Sequence, residues 1–304
     1  MRLVFAGTPA VAVASLDALA RGPHEIAAVV TRRDAELGRK RVLTPSPVAA
    51  RADELGIQTI KANRLGDDVT ARITGLAPDL GVIVAYGGIV REPLLSTPRL
   101  GWINLHFSLL PRWRGAAPVQ RAILAGDDTT GAAVFQLVPA LDAGDVYATT
   151  PRPIGPDETS GDVLTALSHV GADLLARVVD DLAQGRATAA AQQGEPTAAP
   201  KLSLDDARID WSQPAEAVYN RIRAVTPEPG AFAEIDGQRV KVHAARPAAD
   251  AASLPPGTLA ADADDAHPAR ILIGTGTHPL RLITVQPAGK RAMAAPDWWR
   301  GLKR

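Results

Sequence analysis

Hydrophobic and polar positions follow two different rhythms along this chain, and the change of rhythm divides it. Residues 2–6 and 25–31 read as largely apolar strands and 80–85 is a continuous apolar run, the pattern of a strand covered on both faces. Between them, residues 9–21, 45–55 and 67–74 read as helices. Thr8 is placed to cap the first helix, with Pro9 at its first helical position. A short strand over 58–60, a strand over 101–106, a helix over 116–125, a strand pair over 132–138 and 146–149, and a long helix over 160–184 continue the series. Strands and helices alternating in short units predict an α/β fold with an open, mostly parallel sheet. Ligands of such sheets bind beyond the carboxyl ends of the strands. The Gly7-Thr8-Pro9 turn and the end of the strand over 101–106 fall there.

The rhythm then stops. Residues 185–200 are Ala, Gln, Thr and Pro without an apolar period, which predicts a linker. Beyond it come a short helix over 215–224 and strands over 231–235, 239–244, 258–261, 269–273 and 280–286. Asp236-Gly237 between the first two strands is a hairpin signal. This part predicts a small β-rich domain, a barrel. The expected division is a first domain over 1–185, a linker over 186–204 and a second domain over 205–304.

Composition narrows the options. The 304 residues include no cysteine, which excludes disulfides and thiolate metal sites. The start, Met1 to Gly7, is too soon broken for a signal peptide, and no stretch reaches the ~20 apolar residues of a membrane span. A cytoplasmic protein is expected. Formal net charge is zero, so a nucleic-acid partner would have to be met by a local patch. There is no Gly-x-Gly-x-x-Gly after the first strand and no Gly-x-x-x-x-Gly-Lys-Ser/Thr anywhere, so neither a dinucleotide nor a P-loop site is supported.

The chemistry is concentrated in Asn104-Leu105-His106-Phe107-Ser108-Leu109-Leu110-Pro111, answered by Leu141-Asp142-Ala143-Gly144-Asp145. Asn104 and His106 are two apart, so a strand projects both from one face. An amide can donate to a developing oxyanion, an imidazole can donate or carry a proton, and a carboxylate can orient it and raise its pKa. The set suits addition of a nucleophile to a carbonyl. Singly, each residue is more often structural: a buried hydrogen bonder, a cap, a turn. The run as a whole, with Arg112-Trp113-Arg114-Gly115-Ala116-Ala117-Pro118, resembles the formyltransferases that use 10-formyltetrahydrofolate. Over nearly the whole chain it is most similar to the methionyl-tRNA formyltransferase family. Further marks are Phe5-Ala6-Gly7-Thr8-Pro9, Val84-Ala85-Tyr86-Gly87, Ala207-Arg208-Ile209-Asp210-Trp211 and Gln286-Pro287-Ala288-Gly289-Lys290. Phe107 stands where that family's pattern has a smaller residue.

The resemblance implies a Rossmann-like catalytic domain followed by an OB-like tRNA-binding domain. It implies formyl transfer from 10-formyltetrahydrofolate, a cosubstrate, to the α-amino group of initiator methionyl-tRNA for translation initiation in bacteria. Asn104 and His106 would donate to the oxyanion. Asp142 would help the proton leave the amine and favour imidazolium at His106. Neither metal nor covalent enzyme intermediate is called for, and a monomer is expected. The folate would lie against Ser108, Leu109, Leu110 and Pro111 and the Tyr86-Gly87 turn. The basic segment 32–41 matches the loop that enters the acceptor arm in this family, with Arg39 aligned to its key arginine and Lys40 and Arg41 adding charge. A second patch follows from Arg281, where six Lys/Arg, among them Lys290 and Arg291, face one acid, Asp297. Sugar-nucleotide formyltransferases share the motif and can carry a second β domain. Glycinamide ribonucleotide formyltransferases lack that domain, and formylated-folate deformylases use water as acceptor. A non-catalytic tRNA-binding protein would not need Asn104, His106 and Asp142 together.

Overall fold

The structure is a computed structural model that describes residues 1–38, 40–262 and 270–302. It comprises two compact units, one of Met1–Pro118, Thr129–Pro153 and Leu164–Ala199, the other of Val119–Asp128, Ile154–Val163 and Pro200–Arg304. The chain runs through β1 (Arg2–Gly7), α1 (Val13–Ala20), β2 (Glu25–Thr31), β3 (Ala35–Leu37), β4 (Val42–Thr44), α2 (Pro47–Glu54), β5 (Thr59–Lys61), α3 (Asp67–Gly75), β6 (Leu80–Val84), β7 (Trp102–His106), β8 (Arg114–Gly115), α4 (Pro118–Ala125), β9 (Thr129–Gln136), β10 (Val146–Pro153), α5 (Ser160–Ala183) and β11 (Ala198–Ala199).

Among the described residues of the first unit, a seven-stranded sheet has the order β10-β9-β7-β6-β1-β2-β5. The five strands from β7 to β5 are parallel, and β9 and β10 add antiparallel pairings at one edge. Every residue of β6 is buried, which is why its sequence shows no alternation. The chain leaves β1 toward β2 on one side and returns to β6 on the other, so the strand order reverses at β1. The crevice at that switch point is the expected ligand position.

Close packing decides one glycine. Gly81 on β6 pairs with Trp102 on β7. A Cβ at Gly81 would sit 2.1 Å from the Trp102 ring. That ring is fully buried, and its Nε1 donates to the Leu94 carbonyl at 2.8 Å. Gly81→Ala is therefore expected to cost about 1–3 kcal/mol by overpacking. A reduced Tm or denaturation midpoint would show it, and an unchanged Tm would contradict it.

Two local expectations are altered. Thr8 does not cap a helix: its hydroxyl donates to the Tyr86 carbonyl at 3.1 Å, and a 3-10 turn, Ala10–Ala12, precedes α1. Ser46 does cap, accepting from Ala49 N at 3.0 Å ahead of Pro47 at the start of α2. The segment 186–199, expected as linker, carries a strand and a regular set of hydrogen bonds. Ala198 and Ala199 pair with Arg114 and Gly115, and Ala190 bridges to Val146. Its order comes from backbone and amide pairing, which leaves no apolar period in the sequence.

The second unit adds α6 (Ala215–Ala224), β12 (Phe232–Ile235), β13 (Gln238–Pro247), β14 (Leu259–Asp262), β15 (Arg270–Ile273), β16 (Leu280–Pro287), β17 (Met293–Ala294) and α7 (Ala295–Arg300). Its strands form an antiparallel sheet in the order β12-β13-β16-β15-β14, with β17 against β16. The expected barrel is thus realised as a curled half-barrel. Asp236 and Gly237 both adopt positive φ, 50° and 73°, in the hairpin their sequence predicts. The core of this unit includes Val240, Val242, Ile271, Leu280 and Val285 beneath Tyr219 and Ile222 of α6. No helix among the described residues is long and apolar enough to cross a membrane.

Candidate active site

Strand β7 delivers Asn104 and His106 to the edge of the parallel array, between β6 and β9. The intervening residues face the other way: Leu105 and Phe107 lie where a Cβ on Gly171 of α5 would touch them at 3.0 and 3.5 Å. Phe107 is therefore a packing residue beneath α5, and its unexpected size does not reach the site.

His106 is buried, with 6% of its surface exposed, and Phe135 stands edge-on to its ring at 6.4 Å between centroids. Its Nε2 lies 2.8 Å from the Trp113 carbonyl oxygen. A carbonyl only accepts, so Nε2 carries the hydrogen. Nδ1 then faces Asp142, 3.9 Å from Oδ2. Burial lowers the His106 pKa below the ordinary histidine value, and the Asp142 charge and the Trp113 carbonyl only partly offset it. Burial thus favours the neutral ring, against the pull toward imidazolium that Asp142 exerts. Sequence shows the carboxylate but not the desolvation that outweighs it.

Asp142 is 8% exposed and adopts φ +47°, a left-handed conformation. Its Oδ2 accepts from Gly115 N at 2.8 Å. Two residues on, a Cβ at Gly144 would lie 1.7 Å from the Gln136 carbonyl oxygen. Only glycine fits there, which explains the Asp-Ala-Gly-Asp spacing. Asn104 is half-buried, and its Oδ1 is buried without a hydrogen-bond partner. An unpaired polar atom of this kind is costly unless a ligand satisfies it.

The residues expected to hold folate divide into two kinds. Ser108 is fully buried and its hydroxyl donates to the Arg112 carbonyl at 2.6 Å, so it closes the loop from within. Pro111 is buried after a cis peptide bond, while Leu109 and Leu110 are half-buried. Tyr86 is 1% exposed and its hydroxyl donates to the Ala62 carbonyl at 2.7 Å. Its own carbonyl accepts from Thr8 and, at 3.4 Å, from Arg32 Nε, and the Arg32 Nη2 donates to Gly87 O. Tyr86 is thus a core residue that fixes the turn. Next to that turn lies a cleft of about 570 Å³ lined in part by Asn63, Arg64, Gly87, Gly88, Ile89 and Arg91. Arg64 and Arg91 were not singled out by sequence, where isolated arginines look like any solvated cation, and Arg32 was read only as part of the basic segment 32–41.

Of the basic residues, Arg39 lies outside the described residues. Lys40 and Arg41 are exposed on the turn of the β3–β4 hairpin, where Arg41 pairs with Glu36 at 2.5 Å. The strands of that hairpin were not predicted, being three residues each and largely exposed. In the second unit, Lys290 and Arg291 are exposed. No group of three or more His, Asp or Glu side chains among the described residues is arranged to hold a metal ion.

Comparison with known proteins identifies the family. Residues 1–179 match the family model described as formyl transferase, and residues 201–303 match its C-terminal domain. The methionyl-tRNA formyltransferase of Leifsonia xyli subsp. xyli is 64% identical over 301 residues, covering 99% of this chain and 97% of that one. That of Clavibacter sepedonicus is 61% identical over 302 residues with the same coverage. Among solved structures, HypX from Aquifex aeolicus superposes with a TM-score of 0.70 at 16% identity, over 100% of this chain and 48% of HypX. The N-formyltransferase from Helicobacter canadensis, in complex with folinic acid and dTDP-3-aminofucose, gives 0.67 at 16% identity, over 94% of this chain and 98% of that one. At such identities these two share the fold and no more. With both domain models matched and relatives this similar along almost its entire length, the chain belongs to the formyl transferase family, on its methionyl-tRNA formyltransferase branch.

Proposed function

We propose that this chain transfers the formyl group of 10-formyltetrahydrofolate to the α-amino group of methionine on initiator tRNA, in the bacterial cytoplasm, for translation initiation. One chain holds Asn104, His106 and Asp142 together, so a monomer suffices. The observation that carries the chemistry is on Asn104, beside His106 on β7: one atom of its amide, Oδ1, is buried with no hydrogen-bond partner. Its Oδ1 can accept an N–H of the attacking amine while its Nδ2 donates to the formyl oxygen. His106 Nδ1, bare in the neutral ring, is free to take the proton as the C–N bond forms. Once protonated, Nδ1–H is stabilised by Asp142 and can donate to the oxyanion and then to the folate nitrogen as the second C–N bond breaks. The proton lost by the amine thus ends on the leaving group, and no other reactant is required.

For the donor, Leu109, Leu110 and the backbone of Pro111 and Gly87 offer contact, with Ser108 and Tyr86 holding the two turns in shape. The neighbouring cleft, with Arg64 and Arg91, suits the carboxylates of the folate tail. For the acceptor, each unit presents exposed cations: Lys40 and Arg41 on the hairpin, Lys290 and Arg291 on the half-barrel, and Arg39 precedes the first pair in sequence.

Identity over both domains favours tRNA over the sugar-nucleotide acceptor of a fold-mate, and one assay separates them. Formylated-folate turnover is expected with initiator methionyl-tRNA and not with a dTDP-amino sugar or water. The KM for tRNA should climb steeply with salt, because phosphate contacts release counterions. Arg39→Ala should raise that KM and leave donor binding unchanged. Turnover with the sugar nucleotide, or a salt-independent KM for tRNA, would overturn the acceptor.

A further inference from the structure

The segment 186–199 places one side chain, Gln192, against the frame of the site. Its Nε2 donates to the Asp142 carbonyl at 2.8 Å and to the Gly144 carbonyl at 2.9 Å. Its Oε1 accepts from Arg114 Nε at 3.2 Å and Nη2 at 2.6 Å. Carbonyls only accept and guanidinium only donates, so the orientation of this amide is unambiguous. Both of its hydrogens and its oxygen are used.

These partners belong to the two strands of chain that flank His106. The Asp142–Gly144 loop carries the carboxylate. The Trp113–Gly115 stretch carries the carbonyl that accepts from His106 Nε2 and the N–H that donates to Asp142 Oδ2. Asp142 has a positive φ of 47°, which a non-glycine residue holds only when its surroundings determine it. The backbone on either side of Gln192 is anchored separately. Ala190 and Val146 exchange hydrogen bonds at 2.8 and 3.0 Å, and Trp113 N donates to Thr197 Oγ1 at 2.8 Å.

We propose that Gln192 is a positioning residue for formyl transfer, tying the Asp142 loop to the Trp113–Gly115 strand so that Asp142 and His106 keep their mutual geometry. This rests on the catalytic role given to Asp142 above. Gln192 lies behind Asp142 and acts through it. Its loss misplaces the carboxylate without removing it, and small misplacements of reacting groups cost rate steeply.

The test is a double-mutant cycle on the full-length enzyme, read in single-turnover formylation of methionyl-tRNA. Gln192→Ala is expected to lower the rate roughly 10- to 100-fold, while the KM for folate and tRNA stays within about threefold. Gln192→Glu keeps the acceptor for Arg114 but turns a carboxylate toward two carbonyls, and it should not restore the rate. In an Asp142→Ala background, Gln192→Ala should add nothing further. Since a general loss of structure would lower both backgrounds alike, this last measurement separates positioning from folding. A wild-type rate for Gln192→Ala would overturn the proposal. So would an equal loss in both backgrounds with Asp142→Ala itself impaired, which would leave the site reading standing. A fully active Asp142→Ala would remove both.

Discussion

Asn104→Ala, His106→Ala and Asp142→Asn are each expected to lose turnover by about 10²- to 10³-fold or more, while circular dichroism and Tm should remain close to those of the parent. The expectation follows from the site acting as one unit. In the proposed mechanism Asn104 would hold the carbonyl oxygen, His106 would move the proton, and Asp142 would stabilise the charge His106 acquires. Removing two members should therefore cost little more than removing one. The pH profile gives an independent reading. Burial holds the His106 pKa below the ordinary histidine value. With the neutral ring as the proposed proton acceptor, the single-turnover rate should rise with pH through a midpoint below about 6.5 and be level with respect to His106 above it. Asp142 raises that pKa, so Asp142→Asn should move the midpoint to lower pH. Near-normal turnover in the His106 or Asp142 variant, or a midpoint displaced upward in Asp142→Asn, would refute the mechanism.

Gly144→Ala is expected to have the second largest effect, and for a steric reason. The added Cβ would stand 1.7 Å from the Gln136 carbonyl oxygen and 2.9 Å from its carbon, both backbone atoms of β9. No side-chain rotation relieves that contact. The loop must lift from the strand, carrying Asp142 with it and breaking the Gln192 contact to the Gly144 carbonyl. A loss of about 10²-fold in turnover is expected, with about 1–3 kcal/mol of stability. Turnover and thermal unfolding on the same sample would measure both. A fully active Gly144→Ala would show that the loop reaches its place by another route.

The legible and illegible parts of this molecule differ in physical kind. Burial of β6 throughout, and of β1 and β2 after their first one or two residues, leaves apolar stretches that a reader can count. Asn104 and His106 stand two apart, as one strand face requires, and Asp142 was found only through the resemblance of the whole run to the family's motif. Gln192 left no such trace. It sits in a polar segment whose structure comes from hydrogen bonds to distant backbone, and nothing in Ala-Gln-Gln-Gly marks which amide is engaged. Thr8 failed for a related reason, since its cap signal lost to the Tyr86 carbonyl 78 positions away. The charge state of His106 is not legible in sequence, because partner and burial act in opposite senses and only the partner is visible there.

The ordered segment 186–199 also bears on how domains of this family can be exchanged. A chimaera joined at residue 185, where the long helix ends, would take its Gln192 and Thr197 from the donor of the C-terminal half. The catalytic loop would then be braced by a foreign strap. Joining at Pro200, just past β11, keeps Val146–Ala190, Gln192 and the β8–β11 pairing with the half they serve. The place to cut is therefore set by what the connecting peptide holds, about fifteen residues beyond where its composition suggests.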